Sequence, residues 1–132
     1  MKTQTGFTLI ELIIVIVLLG VLAAIAVPRF VNLEDDAQEA RLDASAAAIT
    51  SAMNINYAEC AVNGFQVGTG QCLAVTACTA ANVEPLLQNG ADGLVGLTVA
   101  GPAIPAGNGS VATCTLTSTA GSANFTAVRT AP

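Results

Sequence analysis

The sequence predicts an α+β protein in which one long N-terminal helix packs on a small, disulfide-stabilised antiparallel β-sheet. Three observations lead to this fold class: an apolar run from Phe7 to Val27, a helical pattern that continues beyond it, and a turn-rich C-terminal part with four cysteines. At about 1.5 Å per helical residue the apolar run spans about 30 Å, the thickness of a bilayer's hydrocarbon core. The run is therefore long enough to cross a membrane.

The composition excludes several classes of function. Lys and Arg total 4 against 9 Asp and Glu, the net charge is −5, and histidine is absent. Nucleic-acid-binding proteins carry a basic surface, so we predict no nucleic acid site. Without histidine no Ser/His/Asp or Cys/His set can form, and no phosphate-binding glycine motif is complete. We expect no enzyme, no metal ion and no cofactor.

The order of segments at the N-terminus is the reverse of an ordinary secretory signal. The leader MKTQTG carries one cation, Lys2, and ends in Gly6 just before the apolar run. A secretory signal places its apolar stretch ahead of the cleavage site. Cleavage after Gly6 would instead leave the apolar run on the mature protein, with a free amine on Phe7 and three arginines against nine acids.

Glu11 is the one charged residue within the apolar run. It could lie near the helix end and extend to the membrane interface. A carboxylate deeper in the bilayer costs about 2.5–3.5 kcal/mol and normally has a partner. The partner that cleavage would create is the Phe7 amine, of the same chain or of an axially staggered neighbour. Such a pair neutralises both charges and would set the register between helices, as a buried polar residue does in a coiled coil.

The motif G-FTLIEL followed by an apolar run resembles the N-terminal signal of type IV pilins and of the related pseudopilins. The resemblance covers about residues 1–58, and PRFVNLEDDAQEA (28–40) is further similar to type IVa-like major pilins of the mannose-sensitive haemagglutinin type. It implies the pilin fold with four parts: a leader removed at 1–6, a membrane and filament-core helix half at 7–28, an amphipathic helix half at 29–58, and a globular disulfide-containing β domain at 59–132.

The same resemblance implies roles for individual residues. In this family a prepilin peptidase cleaves between the positions of Gly6 and Phe7 and methylates the new amine, and the glutamate at the position of Glu11 pairs with a neighbour's amine during assembly. Gly20 and Pro28 fall where many pilins have residues that weaken the helix, which implies loosening within the filament. From the residues alone, a kinked membrane helix is the alternative.

The amphipathic half is predicted to carry two apolar stripes, one facing the globular domain and the other facing neighbouring subunits. The stripes are Phe30, Leu33, Ala37, Ala40, Ala44, Ala47 and Ile55, and Leu42, Ala46, Ile49, Met53 and Tyr57. The acids Glu34, Asp35, Asp36 and Glu39 suggest a calcium site, but the segment is helical and lacks the loop of a dedicated site. We favour a solvated face, or partners for Arg29 or Arg41 within the helix or across subunits.

The C-terminal part is predicted to contain a short helix within residues 79–90, capped by Thr79 and ended by Gly90. Three or four antiparallel strands are also predicted, with strand patterns near 96–101, 110–118 and 123–129. Four cysteines without histidine partners favour two disulfides and an oxidising compartment. Three connectivities are possible. The pairs Cys60–Cys72 and Cys78–Cys114 are slightly favoured because they close two local loops without crossing. Asn108 and Asn124 fit the N-glycosylation pattern, which carries little weight in a threonine-rich chain.

These features favour a structural subunit of a type IV pilus, a homo-oligomeric helical filament for adhesion, motility or DNA uptake. The resemblance implies an inner-membrane precursor, a prepilin peptidase and a pilus assembly machinery as partners, and an extracellular filament on the bacterial surface. The alternative is a minor pilin or a pseudopilin of a type II secretion system. Major pseudopilins usually carry a calcium loop and lack disulfides, whereas no acid follows Asp92 here. A membrane-tethered receptor or enzyme explains neither the leader nor Glu11.

Overall fold

The structure, a computed structural model, describes residues 6–68 and 72–131 and comprises two compact units, Met1–Ala37 and Gln38–Pro132. Five residues of the predicted leader, including Lys2, lie outside the described residues. So do the last three residues of the loop that precedes Cys72. The long helix, the small antiparallel sheet and the two disulfides confirm the predicted fold class.

Helix α1 runs from Leu9 to Val62, whereas the sequence pattern predicts a helix from Phe7 to Ala58. It starts two residues later because Thr8 is its N-cap. It ends four residues later, where Asn63-Gly64 supplies a stop: Gly64 and Phe65 both adopt left-handed backbone conformations, with φ of 64° and 59°. The amide of Phe65 donates to the carbonyl of Cys60 at 2.7 Å, which satisfies one of the free carbonyls at the helix end.

The second unit contains a three-stranded antiparallel sheet in the order β1-β2-β3. The strands are β1 (Thr98–Ala100), β2 (Val111–Ser118) and β3 (Gly121–Val128). A two-residue turn joins β2 to β3, since Ser118 pairs with Gly121. The predicted strands are therefore confirmed, with one face turned to the core and the other to solvent.

The core of the second unit lies between α1 and the inner face of the sheet. The second predicted stripe forms the helix side of this core. Its residue Tyr57 is half-buried, and its other residues are buried: Leu42, Ala46, Ile49 and Met53. Phe125 and Leu116 are the largest buried side chains of the sheet. The other stripe is uncovered, with Phe30, Leu33 and Ile55 each at least 60% exposed. The domain-facing stripe is therefore confirmed, whereas the packing of the other stripe on neighbouring subunits stays a prediction.

The segment between Thr79 and Leu94 differs from the prediction of one short helix ended by Gly90. Helix α2 covers only Ala80–Val83 and is followed by the 3₁₀ helices Glu84–Leu86 and Gly90–Leu94. Pro85 has no amide hydrogen to continue an α-helical ladder, so the backbone tightens into a 3₁₀ turn at that point. Gly90, with φ of 52°, begins the second 3₁₀ helix instead of ending the first helix.

Both disulfides lie within the second unit. Cys60–Cys72 joins the last turn of α1 to the following loop, and Cys78–Cys114 joins the segment before α2 to the central strand. These are the two pairs that the loop argument favours, and all four cysteines are buried. Gly101 passes so close to the second bridge that a Cβ on it would lie 2.8 Å from the Cys78 sulfur. Only glycine fits there without a shift of the bridge or the strand.

Candidate assembly site at the N-terminal end of α1

The first part of α1 is apolar on all sides and has no cover from the described chain. Every residue from Leu9 to Ile25 is exposed, and the large side chains there are 46% to 76% exposed. By length and composition, α1 is the one helix of the described residues able to cross a membrane. A helix that is hydrophobic all round is stable only when something else surrounds it.

A reciprocal pair of hydrogen bonds caps the start of this helix. The amide and hydroxyl of Thr8 both donate to the Oε2 atom of Glu11, at 2.9 and 2.7 Å. The amide of Glu11 donates in return to the Thr8 hydroxyl at 3.3 Å. This is a capping box, in which a threonine at the N-cap and a glutamate three residues later satisfy each other's free amides.

The capping box is a role of Glu11 that the sequence reasoning missed. The signal was visible as the T-x-x-E spacing of Thr8 and Glu11 directly ahead of an apolar run. Only one carboxylate oxygen, Oε2, is engaged by Thr8, so Oε1 has capacity for a further donor. Capping and charge pairing are therefore compatible roles for the same side chain.

The peptide bond between Gly6 and Phe7 lies just outside the helix. Residues 6–8 are non-helical, and Phe7 is 90% exposed. A peptidase needs a bond that is accessible and outside helical structure, and this bond meets both requirements. Cleavage would place a new ammonium one residue before Thr8, next to the end of the helix that carries Glu11.

Gly20 and Pro28 both lie inside α1, and the helix is continuous through each of them. A Cβ added to Gly20 would meet no atom within 4 Å, so nothing in the described chain requires glycine at this position. Gly20 costs about 1 kcal/mol of helix stability relative to alanine, and Pro28 removes one backbone donor. That both weaken the helix within a filament stays a prediction.

The acid-rich turn gives no support to a metal site. Glu34, Asp35, Asp36 and Glu39 are all exposed and helical, and no group able to hold a metal ion occurs in the described part of the chain. Neither Arg29 nor Arg41 has an acid three or four residues away, and neither forms an ion pair among residues 6–68 and 72–131. Partners for these arginines within the same helix are therefore absent from the described structure.

The surface of the second unit has two further features. Its solvent-facing sheet surface is uncharged and rich in hydroxyls, with Thr98, Thr113, Thr117, Ser122, Asn124 and Thr126 exposed. Beside α1 lies a groove of about 820 Å³, here named the lateral groove. The lateral groove runs between the 45–59 stretch of α1 and the 3₁₀ region 85–93.

The comparisons with known proteins concern mainly the N-terminal part. The prokaryotic N-terminal methylation motif matches residues 1–27. The type IV narrow pilus major component PilA5 of Thermus thermophilus is 66% identical over 50 residues, which cover 38% of this chain and 43% of that protein. The type IV major fimbrial protein FimA of Dichelobacter nodosus is 38% identical over 65 residues, covering 49% and 39%.

A secretion protein is also similar over a longer stretch. The type II secretion system core protein G of Vibrio cholerae is 31% identical over 85 residues, which cover 64% of this chain and 56% of that protein. This chain therefore spans less than two thirds of the length of each of these relatives. No solved structure matches it. The predicted resemblance to type IV pilins is confirmed by the methylation motif and by the relatives named as pilus and fimbrial proteins.

Proposed function

We propose that this chain is a structural subunit of a type IV pilus that polymerises through the first part of α1 into a filament on the bacterial surface. One observation carries the proposal: an apolar helix, capped at its start by Thr8 and Glu11 and left uncovered by the described chain, directly follows the short leader MKTQTG. Such a helix needs either lipid or copies of itself as surroundings.

The first step is processing of a membrane-anchored precursor. Residues 7–28 hold the precursor in the inner membrane, with the globular part, residues 59–132, on the outer side. A prepilin peptidase cuts between Gly6 and Phe7 and methylates the new amine. The exposed, non-helical backbone of residues 6–8 supports this step, because the scissile bond is not protected by helix hydrogen bonds.

Assembly then transfers the apolar helix from lipid to a bundle of identical helices. Lipid tails are as apolar as the side chains, so packing and polar pairs must drive the association. The Phe7 amine of one copy pairs with Glu11 of a neighbour, so that the two charges neutralise each other within apolar surroundings. The pair also sets the axial displacement between the two helices. Loosening at Gly20 and Pro28 lets the bundle extend, and a pilus assembly machinery supplies the subunits.

The second unit then forms the outer surface of the filament. Its exposed sheet face carries hydroxyls and one amide but no charge, which suits a repeated coat that does not repel itself. Adhesion, motility and DNA uptake are the roles that such a surface can serve.

The second candidate is a pseudopilin of a type II secretion system or a minor pilin. The similarity to the Vibrio cholerae core protein G, the longest of the alignments described above, favours it. Two buried disulfides and the lack of a metal-binding group in the described residues favour the pilus subunit instead.

The decisive experiment is mass spectrometry and electron microscopy of fibres sheared from the cells. We expect fibres whose dominant polypeptide begins at N-methylated phenylalanine, Phe7. A fibre fraction that contains this chain only in trace amounts would favour the minor-subunit candidate. Purified protein that retains Met1–Gly6, or cells that hold only single uncut copies, would contradict the proposal.

The two roles of Glu11 can be separated by three variants. Glu11→Gln keeps an acceptor for the Thr8 amide but has no charge, whereas Thr8→Val keeps the charge and loses the cap hydroxyl. We expect both variants and Glu11→Val to insert into the membrane, with fibre yield lost in Glu11→Gln and Glu11→Val but retained in Thr8→Val. Normal fibres from Glu11→Gln would show that the carboxylate acts only as a cap.

A further inference from the structure

The α1 wall of the lateral groove carries mainly small and apolar residues, which is unusual for a helix face in water. On the α1 side it is lined by Ser45, Ala48, Ala52, Ile55 and Glu59, which recur every three or four residues along one flank of the helix. Ile55, the one large apolar residue of this flank, is 62% exposed, and its neighbours Ala48 and Ala52 are small. The spacing is that of a seam between packed helices, and the groove leaves room beside it.

Glu59 and Arg41 are charged groups along this flank for which the described part of the chain supplies no partner. Glu59 is half-buried, lines the groove, and makes no side-chain hydrogen bond or ion pair with the described residues. Arg41 is exposed and likewise makes no side-chain hydrogen bond or ion pair within residues 6–68 and 72–131. The two are 18 residues apart, which is five helical turns at 3.6 residues per turn and about 27 Å. They therefore lie on the same flank of α1, one before the groove and the other at its far end.

We propose that the lateral groove receives α1 of a second copy of this chain, parallel to the first and displaced by about five turns, so that Arg41 of the second copy pairs with Glu59 of the first. The inference rests on the proposed function, since it assigns a second contact within the same filament. Charge complementarity selects the occupant: an arginine and a half-buried carboxylate, neither of which has a partner among the described residues, lie on one surface.

A two-fold antiparallel pair would also bring Arg41 beside Glu59, twice in the same dimer. That arrangement is isologous and closes on itself, whereas the parallel arrangement is heterologous and leaves a free groove at one end and a free arginine at the other. All copies enter the filament from one membrane in one orientation, which favours the parallel arrangement. The two arrangements differ in what a cross-link at these positions would produce.

Cysteine cross-linking distinguishes them in intact fibres. In the double variant Arg41→Cys with Glu59→Cys, mild oxidation is expected to give a ladder of dimers, trimers and longer covalent chains. Each single variant is the control and should give no ladder. Cross-linking that stops at dimers would overturn the parallel arrangement, and the absence of any cross-link in fibres would overturn the contact.

Charge reversal tests the pair without cysteine. Glu59→Arg and Arg41→Glu are each expected to lower the yield of sheared fibres at least tenfold, and the double reversal is expected to restore it to within twofold. Asp43→Arg is the matched control, because it makes the same charge change about 160° around the helix from Glu59 and should leave the yield unchanged. Membrane insertion and both disulfides are measured in every variant to verify folding.

The outcomes separate this inference from the proposed function. Normal fibres from Glu59→Arg, or no recovery in the double reversal, would overturn the contact and leave the pilus subunit intact. Absence of this chain from the fibres of unaltered cells would overturn the proposed function itself.

Discussion

The two ends of helix α1 differ in how much of their apolar surface the described chain covers. From Leu9 to Ile25 no side chain is buried, although nearly all are apolar. From Leu42 to Cys60 a residue is buried at every third or fourth position, and all of these residues are apolar except Asn56. The exposed positions carry polar residues, alanines and Ile55. The second end has its partner within the chain, in the sheet and the segments around it. The first end is built for surroundings that its own chain does not supply.

The comparison shows that the exposed fraction of a side chain in a single chain does not tell whether that side chain faces water in the assembled state. Leu18 and Val111 are 57% and 59% exposed, yet one belongs to an all-apolar helix and the other begins a strand whose outward neighbours are threonines. The pattern around a residue, and not its exposed area, indicates what covers it in the assembled state. The first two of the following predictions separate the two ends, and the last two concern what holds the second end in place.

The largest effect is expected from removal of the Cys78–Cys114 disulfide by the double substitution to alanine. The two residues are 36 positions apart, and closure of a loop of this length is worth about 4 kcal/mol in the chain-entropy account. The second unit should lose protection against hydrogen exchange, measured by mass spectrometry in detergent micelles, while peptides from Leu9 to Ile25 keep theirs. Removal of Cys60–Cys72, 12 positions apart, should cost about 3 kcal/mol. Equal loss of protection at both ends of α1 would contradict the independence of the two ends.

A second prediction uses the matched pair of exposed residues. Leu18→Arg places a charge near the middle of the apolar helix, where membrane insertion costs about 2.5–3.5 kcal/mol, so the membrane-bound fraction and the fibre yield should fall about a hundredfold. Val111→Arg should change stability by no more than about 0.5 kcal/mol and leave fibres intact. The assays are membrane fractionation and quantification of sheared fibres. Similar behaviour of the two variants would mean that the apolar helix needs no apolar surroundings.

Much of the fold follows from residue patterns that act locally. Period-3.6 stripes identify which face of α1 packs on the sheet, and alternation of threonine with buried residues identifies β2 and its partner β3. The pairing of Cys60 with Cys72 follows from their short separation, with a weak preference over the other connectivities. These features depend on neighbours in sequence, which the sequence displays directly.

The features that the sequence patterns did not predict depend on tertiary contacts or, for the capping box, on the spacing of two residues. Nothing in the sequence distinguishes Asn56, which is buried and makes three hydrogen bonds to Leu73 and Thr130, from the exposed Asn54 two residues earlier. The T-x-x-E spacing of Thr8 and Glu11 indicates the capping box, but an interpretation of Glu11 as a charge alone leaves the cap out. The 3₁₀ helices after Val83 reflect the missing amide of Pro85, whose consequence depends on how the following turn packs.

Asn56 provides the third prediction. Its amide nitrogen donates to the Leu73 carbonyl and the Thr130 hydroxyl, and its Oδ1 atom accepts from the Leu73 amide. Asn56→Ala removes all three hydrogen bonds and leaves the Leu73 amide without a partner, whereas the Leu73 carbonyl keeps its bond from the Thr130 hydroxyl. The second unit should be destabilised by about 2 kcal/mol, within the range for an unsatisfied polar group. Asn54→Ala, on the exposed face of the same helix turn, is the control and should cost less than about 0.5 kcal/mol. Both are measured by denaturant unfolding of the full chain in micelles, and equal midpoints would contradict the role of the network.

The smallest expected effect concerns the contact between α1 and the outer edge of β3. The hydroxyl of Thr50 donates to the Ala46 carbonyl at 3.1 Å and accepts from the Thr126 amide at 3.2 Å, so a single side chain connects the helix to the edge strand. Thr50→Val keeps the shape and removes the acceptor, while Thr50→Ser keeps the hydroxyl and removes one methyl group. Because Thr126 is exposed, its amide turns to water in Thr50→Val, and the expected loss is about 1 kcal/mol, near the middle of the range for one hydrogen bond. Hydrogen exchange at the Thr126 amide is the sensitive readout: it should accelerate in Thr50→Val and remain slow in Thr50→Ser. If the two variants exchange alike, the hydroxyl does not connect helix and strand, and apolar packing alone holds the second end of α1 on the sheet.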